Sequence, residues 1–383
     1  MSSESHDAVV VGGGIVGAHC ALQLAEAGLE DVVVLERDAP ASKASGRAAG
    51  SLTIYGQERF GPQTSRFGRE FYGDLECRHD DLVFHPEPEY SLAHTEEGAA
   101  HLKHDHESTT LDSELLTPEE LAEREPTFAT EEVTAALVHG ESRYTDPETL
   151  TLAVHDEAAE RGVELVLAGV TDLTPGHDGV TVETTDGRHE APVVVVAAGA
   201  WSKCLLNRAG TDVALRPRTS QIAILEPEEP LHTPAWGAMD LSIYGRPTPE
   251  GRVLFGGGVS TPITDLEGFE KRALVPFLKE VGEFAPYIFP ELESATLHDD
   301  WAGRVSATPD RHPHIGETEV DGLFVCAGFN GEGVSNSPFG GRLLADLVTG
   351  REPLADPDRF DPTRYDGDEE FRIGSAVEWW ADR

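Results

Sequence analysis

Lysine is scarce in this chain, and acidic residues far outnumber basic ones. The 383 residues include 70 Asp and Glu against 29 Lys and Arg, a formal net charge of −41 at pH 7. The lysines are Lys43, Lys103, Lys203, Lys271 and Lys279. The acid is spread along the whole chain instead of forming one tail, which favours a surface adapted to molar salt. We therefore expect a halophilic archaeal source, and we exclude nucleic acid as a partner because its phosphates would be repelled.

Cysteines are also few, and long apolar runs are absent. The four cysteines (Cys20, Cys77, Cys204 and Cys326) form no CxxC pair, so neither a disulfide framework nor a zinc site is predicted. No basic segment precedes an apolar stretch at the N-terminus, and no 18-residue apolar run occurs. We expect a soluble cytoplasmic protein with no metal and no integral membrane contact. The length is sufficient for two domains and a large core.

The most informative segment is a glycine turn near the N-terminus. An apolar run at residues 8–11 enters the pattern Gly12-x-Gly14-x-x-Gly17, and a helical pattern follows. Gly12 permits the tight turn, Gly14 lets a pyrophosphate approach the backbone, and Gly17 lets the helix pack on the strand. A second apolar run ends in Glu36, 19 residues after Gly17, where a carboxylate accepts a hydrogen bond from a ribose hydroxyl. The segment predicts a dinucleotide site at the helix N-terminus.

Two later apolar strands also run into glycine turns. Residues 193–199 read VVVVAAG, and residues 322–328 read GLFVCAG. The second of these turns continues as Gly328-x-x-Gly331-x-Gly333 and precedes a helix predicted over residues 338–349. Between these strands, residues 215–300 carry β-like segments, one of them over residues 238–244, and a helix predicted over residues 266–283. The pattern indicates an α/β fold, with a Rossmann-like nucleotide-binding domain interrupted by an α+β domain on an antiparallel sheet.

Five motifs in a fixed order carry a family resemblance. They are the N-terminal glycine segment, SGRAAGS (45–51), TDPETL (145–150), VVVVAAGAW (193–201), and WAGRVSATPDRHPHIG (301–316) leading into GLFVCAGFNGEGVSNSP (322–338). Together they resemble the FAD-dependent D-amino acid oxidase superfamily, whose members include glycine oxidase, sarcosine oxidase and dimethylglycine dehydrogenase-like proteins. The resemblance extends from Ala8 to about Gly350.

The resemblance implies an FAD-binding domain of residues 1–80, 144–214 and 301–360. It implies a substrate domain of residues 81–143 and 215–300, and a C-terminal tail of residues 361–383. FAD is expected to be noncovalent, because no histidine lies in SGRAAGS and Cys326 sits inside a strand. The expected FAD contacts are Gly12, Gly14, Ile15, Val16, Gly17, Glu36, Arg37, Ser45, Arg47, Ala48, Ala49, Gly50, Ser51, Val170, Ala198, Gly199, Trp201, Gly328, Asn330, Gly331, Glu332, Gly333 and Val334.

The sequence leaves more than one candidate for the residues that bind substrate. The family holds a substrate carboxylate with an arginine, whose planar guanidinium matches it. Glycine oxidase-like chains read WAGLRP where this chain reads WAGRVS, so Arg304 is displaced by one position and Val305 takes the arginine's place. Arg304 is either the carboxylate ligand or part of an ion pair. Tyr244 and Arg246 are candidate catalytic residues together with Arg304, and we expect Arg246 first and Arg304 second as the anchor of a substrate carboxylate.

Glu332 stands where sarcosine oxidase-like chains often have a histidine. An acid beside the flavin would oppose negative charge on the reduced ring, so Glu332 either lines the site or points outward.

The resemblance implies an enzyme that oxidises the C–N bond of an amino acid or a secondary or tertiary amine by hydride transfer to flavin N5. Oxygen or another acceptor would then take the electrons. One alternative is an FAD-dependent 2-hydroxy acid dehydrogenase, which a buried histidine near the flavin would favour. Another is a non-catalytic flavin electron-transfer subunit, which a pocket without arginine would favour. The expected partners are the small substrate and the acceptor, for a monomer or a homo-oligomer.

Overall fold

A computed structural model describes residues 3–258 and 260–373 of the chain. These residues form three β-sheets and eight α-helices. The last part of the predicted C-terminal tail, residues 374–383, lies outside the described residues. None of the helices described here combines the length and the apolar character that crossing a bilayer requires.

The first sheet has six strands in the order β17-β18-β11-β2-β3-β7. Its strands are β2 (Ala8–Val11), β3 (Val32–Glu36), β7 (Glu164–Leu167), β11 (Val193–Val196), β17 (His314–Glu317) and β18 (Leu323–Ala327). All neighbours are parallel except β17 and β18. The central strands are valine runs because a parallel sheet is covered on both faces. The three glycine turns follow β2, β11 and β18, so they meet at one edge of this sheet.

Helices pack on both of the larger sheets, and small residues allow two of the helices to pack closely. The helices are α1 (Ile15–Glu26), α2 (Pro62–Arg78), α3 (Glu96–Ser108), α4 (Pro118–Arg124), α5 (Pro147–Glu160), α6 (Ser202–Arg208), α7 (Val275–Ile288) and α8 (Gly333–Thr349). A Cβ at Gly341 of α8 would lie 2.6 Å from the His19 carbonyl of α1. Glycine at that position therefore sets the α1–α8 distance.

The second sheet has eight strands in the order β16-β12-β15-β14-β13-β4-β6-β5. Its strands are β4 (His85–Ala93), β5 (Ser113–Leu116), β6 (Ala135–Tyr144), β12 (Arg216–Glu226), β13 (Ala235–Ala238), β14 (Ile243–Pro247), β15 (Val253–Gly257) and β16 (Thr296–Ala307). The pairing is antiparallel except between β13 and β4. That parallel pair joins the two chain excursions into one sheet.

The third sheet is small and consists of β1 (Ser3–Ser5), β8 (Val170–Pro175), β9 (Val180–Thr184) and β10 (Arg188–Ala191). Their order is β1-β10-β9-β8, and β1 runs parallel to β10. The mixed α/β fold and the largely antiparallel second sheet agree with the fold class expected from the sequence. The expected domain limits stay a prediction.

Three local predictions were wrong. The helix expected over residues 266–283 begins only at Val275 and ends at Ile288, because the Asp265 carboxylate accepts from the Glu267 and Gly268 N–H groups and holds a turn there. The strand expected over residues 238–244 is two strands separated by a 3₁₀ turn, Met239–Leu241.

The third wrong prediction concerns the start of α8. This helix begins at Gly333, so Pro338 lies inside it. Proline has no N–H for the carbonyl of Val334 one turn earlier. The buried Tyr72 hydroxyl donates to that carbonyl instead, and tertiary structure thereby permits a helix that the local sequence argues against.

Candidate active site

A cavity of about 290 Å³ opens where the three glycine turns face the eight-stranded sheet. Gly14, Gly199 and Gly328 line it from the carboxyl edge of the six-stranded sheet. Tyr244 and Ser142 line it from the opposite sheet. Ligands of open α/β sheets bind outside the carboxyl ends of the strands, so this cavity is the candidate site.

The first glycine turn is built so that side chains do not fit. Gly12 has φ +117°, and a Cβ there would lie 2.6 Å from the carbonyl oxygen of Ala197. A Cβ at Gly17 would overlap the Gly12 carbonyl oxygen. The Ile15 N–H donates to Ser45 Oγ at 2.9 Å, and His155 Nε2 donates to the Gly13 carbonyl at 3.0 Å. The turn is thus rigid before any ligand binds, with the N-terminus of α1 directed at the cavity.

Glu36 ends β3 beside this turn. Its carboxylate accepts from the Gly13 N–H at 2.7 Å and from the Asp38 N–H at 2.9 Å. The neighbouring Arg37 stacks 5.0 Å from the Trp201 ring centre, and both side chains donate to Glu267, at 2.8 and 2.9 Å. Glu267 therefore ties its loop to Arg37 and Trp201, next to Glu36.

Most of the expected FAD contacts line the cavity. They are Gly14, Ile15, Val16, Ser45, Arg47, Ala48, Ala49, Gly50, Ser51, Gly199, Gly328, Asn330, Gly331, Glu332, Gly333 and Val334. The other expected contacts lie outside the cavity wall among the described residues: Gly12, Gly17, Glu36, Arg37, Val170, Ala198 and Trp201. Val170 and Ala198 pack against the hydrophobic core below the turn.

The third glycine turn, which follows β18, is fixed by Asn330, which has φ +56°. Its side chain accepts from the Thr308 N–H at 3.1 Å and donates to the Gly328 carbonyl at 2.6 Å. The Arg218 guanidinium donates to the Asn330 carbonyl at 2.8 Å. These bonds hold the backbone of the turn against the cavity, where its N–H groups could stabilise negative charge on a reduced flavin ring.

Glu332 lines the cavity and does not carry an isolated charge. Its carboxylate accepts from Arg59 at 2.7 Å and lies 3.5 Å from an Arg311 nitrogen. The side chains of Glu332 and Arg59 are each only 14% exposed. The two arginines compensate the acid, so the electrostatic objection to an acid beside a flavin is removed.

The three candidate catalytic residues differ in their surroundings. Tyr244 lies on β14 and faces the cavity, and burial raises the pKa of its hydroxyl. Arg246 lies beside the cavity wall, where it donates to the Ala49 carbonyl at 2.6 Å and stacks 4.4 Å from the Tyr144 ring centre. Burial lowers the pKa of Arg246 to about 10.

Arg304 lines the cavity together with Val305. Its guanidinium lies between the rings of Trp201, at 5.2 Å, and Phe269, at 4.5 Å. The buried Nε of Arg304 has no hydrogen-bond partner among the described residues. Burial and the nearby Arg47 lower its pKa. Such a cation is suited to an anionic ligand.

The sequence reasoning missed several residues of the cavity wall, above all Glu89. Glu89 lies on β4, is partly exposed to the cavity, and hydrogen-bonds to Ser142 of β6. Burial raises the pKa of this carboxyl. Arg59, Arg143 and Arg218 also line the cavity. No motif marks these residues, because they come from four separate segments that only the tertiary structure brings together.

The chain has a cradle that fits FAD. Only glycine fits at Gly12 and Gly17. There is little room beside Gly14, because a Cβ there would lie 3.0 Å from the Oγ of Ser45. Glu36 is the last residue of β3. A dinucleotide site needs a helix N-terminus to receive a phosphate and a carboxylate at the end of the second strand. This chain offers both positions, at the N-terminus of α1 and at Glu36.

Comparison with known proteins gives the family. The profile described as "FAD dependent oxidoreductase" of the DAO family matches residues 7–347. Glycine oxidase of Geobacillus kaustophilus is 30% identical over 385 aligned residues, covering 94% of this chain and 98% of that protein. Mitochondrial dimethylglycine dehydrogenase of Rattus norvegicus is 29% identical over 94% of this chain, but the match spans only 45% of that longer protein.

Solved structures agree with this assignment. The crystal structure of L-proline dehydrogenase from P. horikoshii matches with a TM-score of 0.85 and 27% identity, over 95% of this chain and 98% of that one. The crystal structure of the Geobacillus kaustophilus glycine oxidase matches with a TM-score of 0.84 and 28% identity, over 95% and 100% of the two chains. These relatives are FAD-dependent oxidases and dehydrogenases of amino acids or amines. The chain therefore belongs to the D-amino acid oxidase family of FAD-dependent oxidoreductases.

Proposed function

We propose that this chain oxidises the C–N bond of an amino acid or of a secondary or tertiary amine, with noncovalent FAD as its cofactor. The observation that carries the proposal is Glu89, a shielded carboxyl that faces the same cavity as the glycine turns. The positive charge of a bound ammonium group would stabilise the carboxylate form that burial disfavours, so this acid is suited to a cationic amine. The relatives named glycine oxidase and dimethylglycine dehydrogenase act on such compounds.

The residues that would hold FAD are those of the three glycine turns, Glu36 and the loop from Ser45 to Ser51. The chemistry that FAD supplies when bound is a two-electron oxidation, in which the hydride of the carbon next to nitrogen goes to flavin N5 and the electrons pass on to dioxygen or another acceptor. We propose the same division of the chain as the motifs suggest: residues 1–80, 144–214 and 301–360 for FAD, and residues 81–143 and 215–300 for substrate. The second group supplies most of the eight-stranded sheet.

Glu89 would prepare the amine for oxidation. An ammonium group has no lone pair with which to stabilise the developing C=N bond, so its proton must leave first. The Glu89 carboxylate would take that proton and become the neutral acid that its burial favours. Tyr244, on the same sheet and facing the same cavity, would orient the substrate through its hydroxyl. The imine product would then be hydrolysed by water.

A substrate carboxylate, if present, would bind an arginine of the site. Arg304 lines the cavity, and its Nε has no hydrogen-bond partner in the part of the chain that the structure describes, whereas Arg246 already donates to the Ala49 and Pro247 carbonyls. We therefore place Arg304 before Arg246 as the carboxylate anchor. The apolar Val305 in the usual arginine position leaves room for a larger group on the substrate.

The cavity wall also bears on the two alternative functions. No histidine lines the cavity among the described residues, which argues against a 2-hydroxy acid dehydrogenase with a histidine base. Arg47, Arg59, Arg143, Arg218 and Arg304 all line it, which argues against a subunit that only relays electrons.

The test is an anaerobic screen of FAD-loaded protein with amines, amino acids and 2-hydroxy acids. Bleaching of the flavin by an amine or amino acid, with release of the matching carbonyl product, would support the proposal. Bleaching by 2-hydroxy acids alone would overturn it in favour of the dehydrogenase. Absence of bleaching by every compound, with reduction by an electron-carrier protein, would favour the relay subunit.

Noncovalent FAD has a separate and simple test. The SGRAAGS loop carries no cysteine, histidine or tyrosine, and burial beside Cys20 raises the pKa of the Cys326 thiol, which makes it a poor nucleophile. Acid precipitation should release the yellow colour into the supernatant. Colour that stays with the pellet would contradict noncovalent binding.

A further inference from the structure

A cluster of two histidines and two acids lies on the small sheet, away from the active-site cavity. Glu4 of β1 pairs in register with His189 of β10, and His6 follows two residues after Glu4. Directly paired residues on neighbouring strands share a face, and the ring of His6, just past the end of β1, stacks on that of His189 with ring centres 5.3 Å apart. The side chains of Glu4, His6 and His189 therefore converge on one point.

From this geometry we infer that Glu4, His6 and His189 bind a divalent transition metal, with Zn²⁺ as the best fit. His6 Nε2 lies 3.1 Å from His189 Nδ1, and His189 Nδ1 lies 3.8 Å from a Glu4 carboxylate oxygen. Two nitrogen ligands about 2.0–2.1 Å from a tetrahedral zinc ion are about 3.3 Å apart. The ligand atoms are thus already spaced for one ion, with the fourth position open to water.

Asp31 orients His6 in the manner typical of metal-binding histidines. Its carboxylate accepts from His6 Nδ1 at 3.0 Å, which leaves the lone pair of Nε2 facing His189. Such carboxylate–histidine pairs behind a metal fix the tautomer and raise the basicity of the ligand. His189 would keep its proton on Nε2 and offer Nδ1 to the metal.

The backbone around the cluster is held firmly. The His6 N–H donates to the Glu190 carbonyl at 2.9 Å, and the Asp7 carboxylate accepts from the N–H groups of Glu30 and Asp31 at 2.9 and 3.0 Å. The side chains of His6 and His189 are only 8% and 7% exposed, while that of Glu4 is 64% exposed. The site is therefore rigid on its imidazole side and open to entering ions on its carboxylate side.

The cluster differs from an ordinary surface pair of histidine and acid. His177 and Asp178 also lie 3.0 Å apart, but both side chains are almost fully exposed to solvent. The charge of Glu4, of Asp31 and of the nearby Glu164 favours a dication over the bare histidine pair. Imidazole ligands select zinc-like metals over calcium and magnesium, which prefer oxygen. A bound metal would fasten β1 to β10 immediately before the strand that leads to the glycine turn.

The test is a zinc titration of chelator-treated, FAD-loaded protein in competition with a chromogenic zinc indicator. We expect one saturable site that an equal concentration of Ca²⁺ does not displace. His6→Ala and His189→Ala should weaken zinc binding at least 100-fold, and Asp31→Asn about 10- to 100-fold. His177→Ala is the matched control and should bind zinc as the wild type does.

Equal zinc affinity in the wild type, His6→Ala and His189→Ala, or displacement by Ca²⁺, would overturn the proposal. If the histidine variants fail to fold, Glu4→Gln still tests the site, because Glu4 is exposed and its replacement should leave the fold intact. Loss of this ligand should lower the zinc affinity about tenfold. Unchanged affinity in Glu4→Gln would exclude the three-ligand site. FAD content should stay constant in all the variants that fold, so this test is independent of the proposed oxidation.

Discussion

Two acids of the active-site cavity stand in opposite surroundings. Glu332 is compensated by Arg59 and Arg311, whereas Glu89 bonds to the Ser142 hydroxyl, and burial raises the pKa of its carboxyl. Two carboxyl groups of one site that have different electrostatic surroundings often have different roles. We assign a structural role to Glu332 and proton transfer to Glu89.

Replacing Glu89 by Gln tests this assignment. The variant cannot accept a proton, so the rate of anaerobic flavin reduction should fall about 100-fold or more. In the wild type the rate should rise with pH through the raised pKa of Glu89, because only the carboxylate accepts the proton. That acid limb should vanish in the variant.

Glu87→Gln is the control for Glu89→Gln. Glu87 lies on the same strand, across the β-bulge, and lines a different cavity. Its replacement should leave the reduction rate and its pH profile unchanged. A wild-type rate and pH profile in Glu89→Gln would refute the role of Glu89.

Arg304→Ala and Arg246→Ala separate substrate binding from cofactor binding. Loss of a charge-assisted carboxylate contact should cost roughly 2–4 kcal/mol, or about 30- to 1000-fold in kcat/KM, with FAD content unchanged. We expect this result for Arg304→Ala and a smaller loss for Arg246→Ala. Weaker FAD binding in Arg304→Ala would instead assign this arginine to the cofactor, near Arg37 and Trp201. Near-normal kcat/KM in both variants would favour an amine without a carboxylate.

At the scale of the element, the first strand, turn and helix act as one rigid unit. Gly14→Val should abolish FAD content, because a Cβ there already lies 3.0 Å from Ser45 Oγ and a branched side chain would enter the pyrophosphate space. The measurement is the ratio of flavin absorbance to protein absorbance after purification. Gly73→Ala is the control, since a Cβ at Gly73 in α2 meets no atom within 4 Å, and it should retain FAD. A Gly14→Val protein with full FAD content would contradict the site.

At the scale of the whole molecule, the net charge of −41 dominates. Repulsion among the acids destabilises the compact state unless salt screens it, and at 1 M salt the Debye length is only about 3 Å. The melting temperature should rise by roughly 5 °C or more between 0.1 and 2 M KCl. The experiment uses a chloride salt, because sulfate would also stabilise the fold by being excluded from the protein surface, and charge screening could then not be separated from that effect. An unchanged melting temperature would show that the charge is not what limits stability.

Much of the FAD side of the site was predictable from the sequence, because local chemistry determines it. Gly12, Gly14 and Gly17 are required by backbone contacts within one strand–turn–helix unit, and Glu36 ends the next strand. The substrate side was far less predictable. Tyr244 was a candidate from the sequence, but Glu89 and Ser142 lie on two other strands distant from it in sequence, and each is an ordinary polar residue in its own segment.

The sequence by itself determined the family, the cofactor and the positions of the three glycine turns, since each depends on residue types at short, fixed spacings. The tertiary structure decided which side chains share the cavity, because strand pairing across the eight-stranded sheet sets the neighbours of every residue on its face. It also decided the start of α8, where the Tyr72 hydroxyl bonds to the carbonyl that Pro338 leaves free. The approach of Glu4, His6 and His189 has the same cause: β1 pairs with a strand more than 180 residues away.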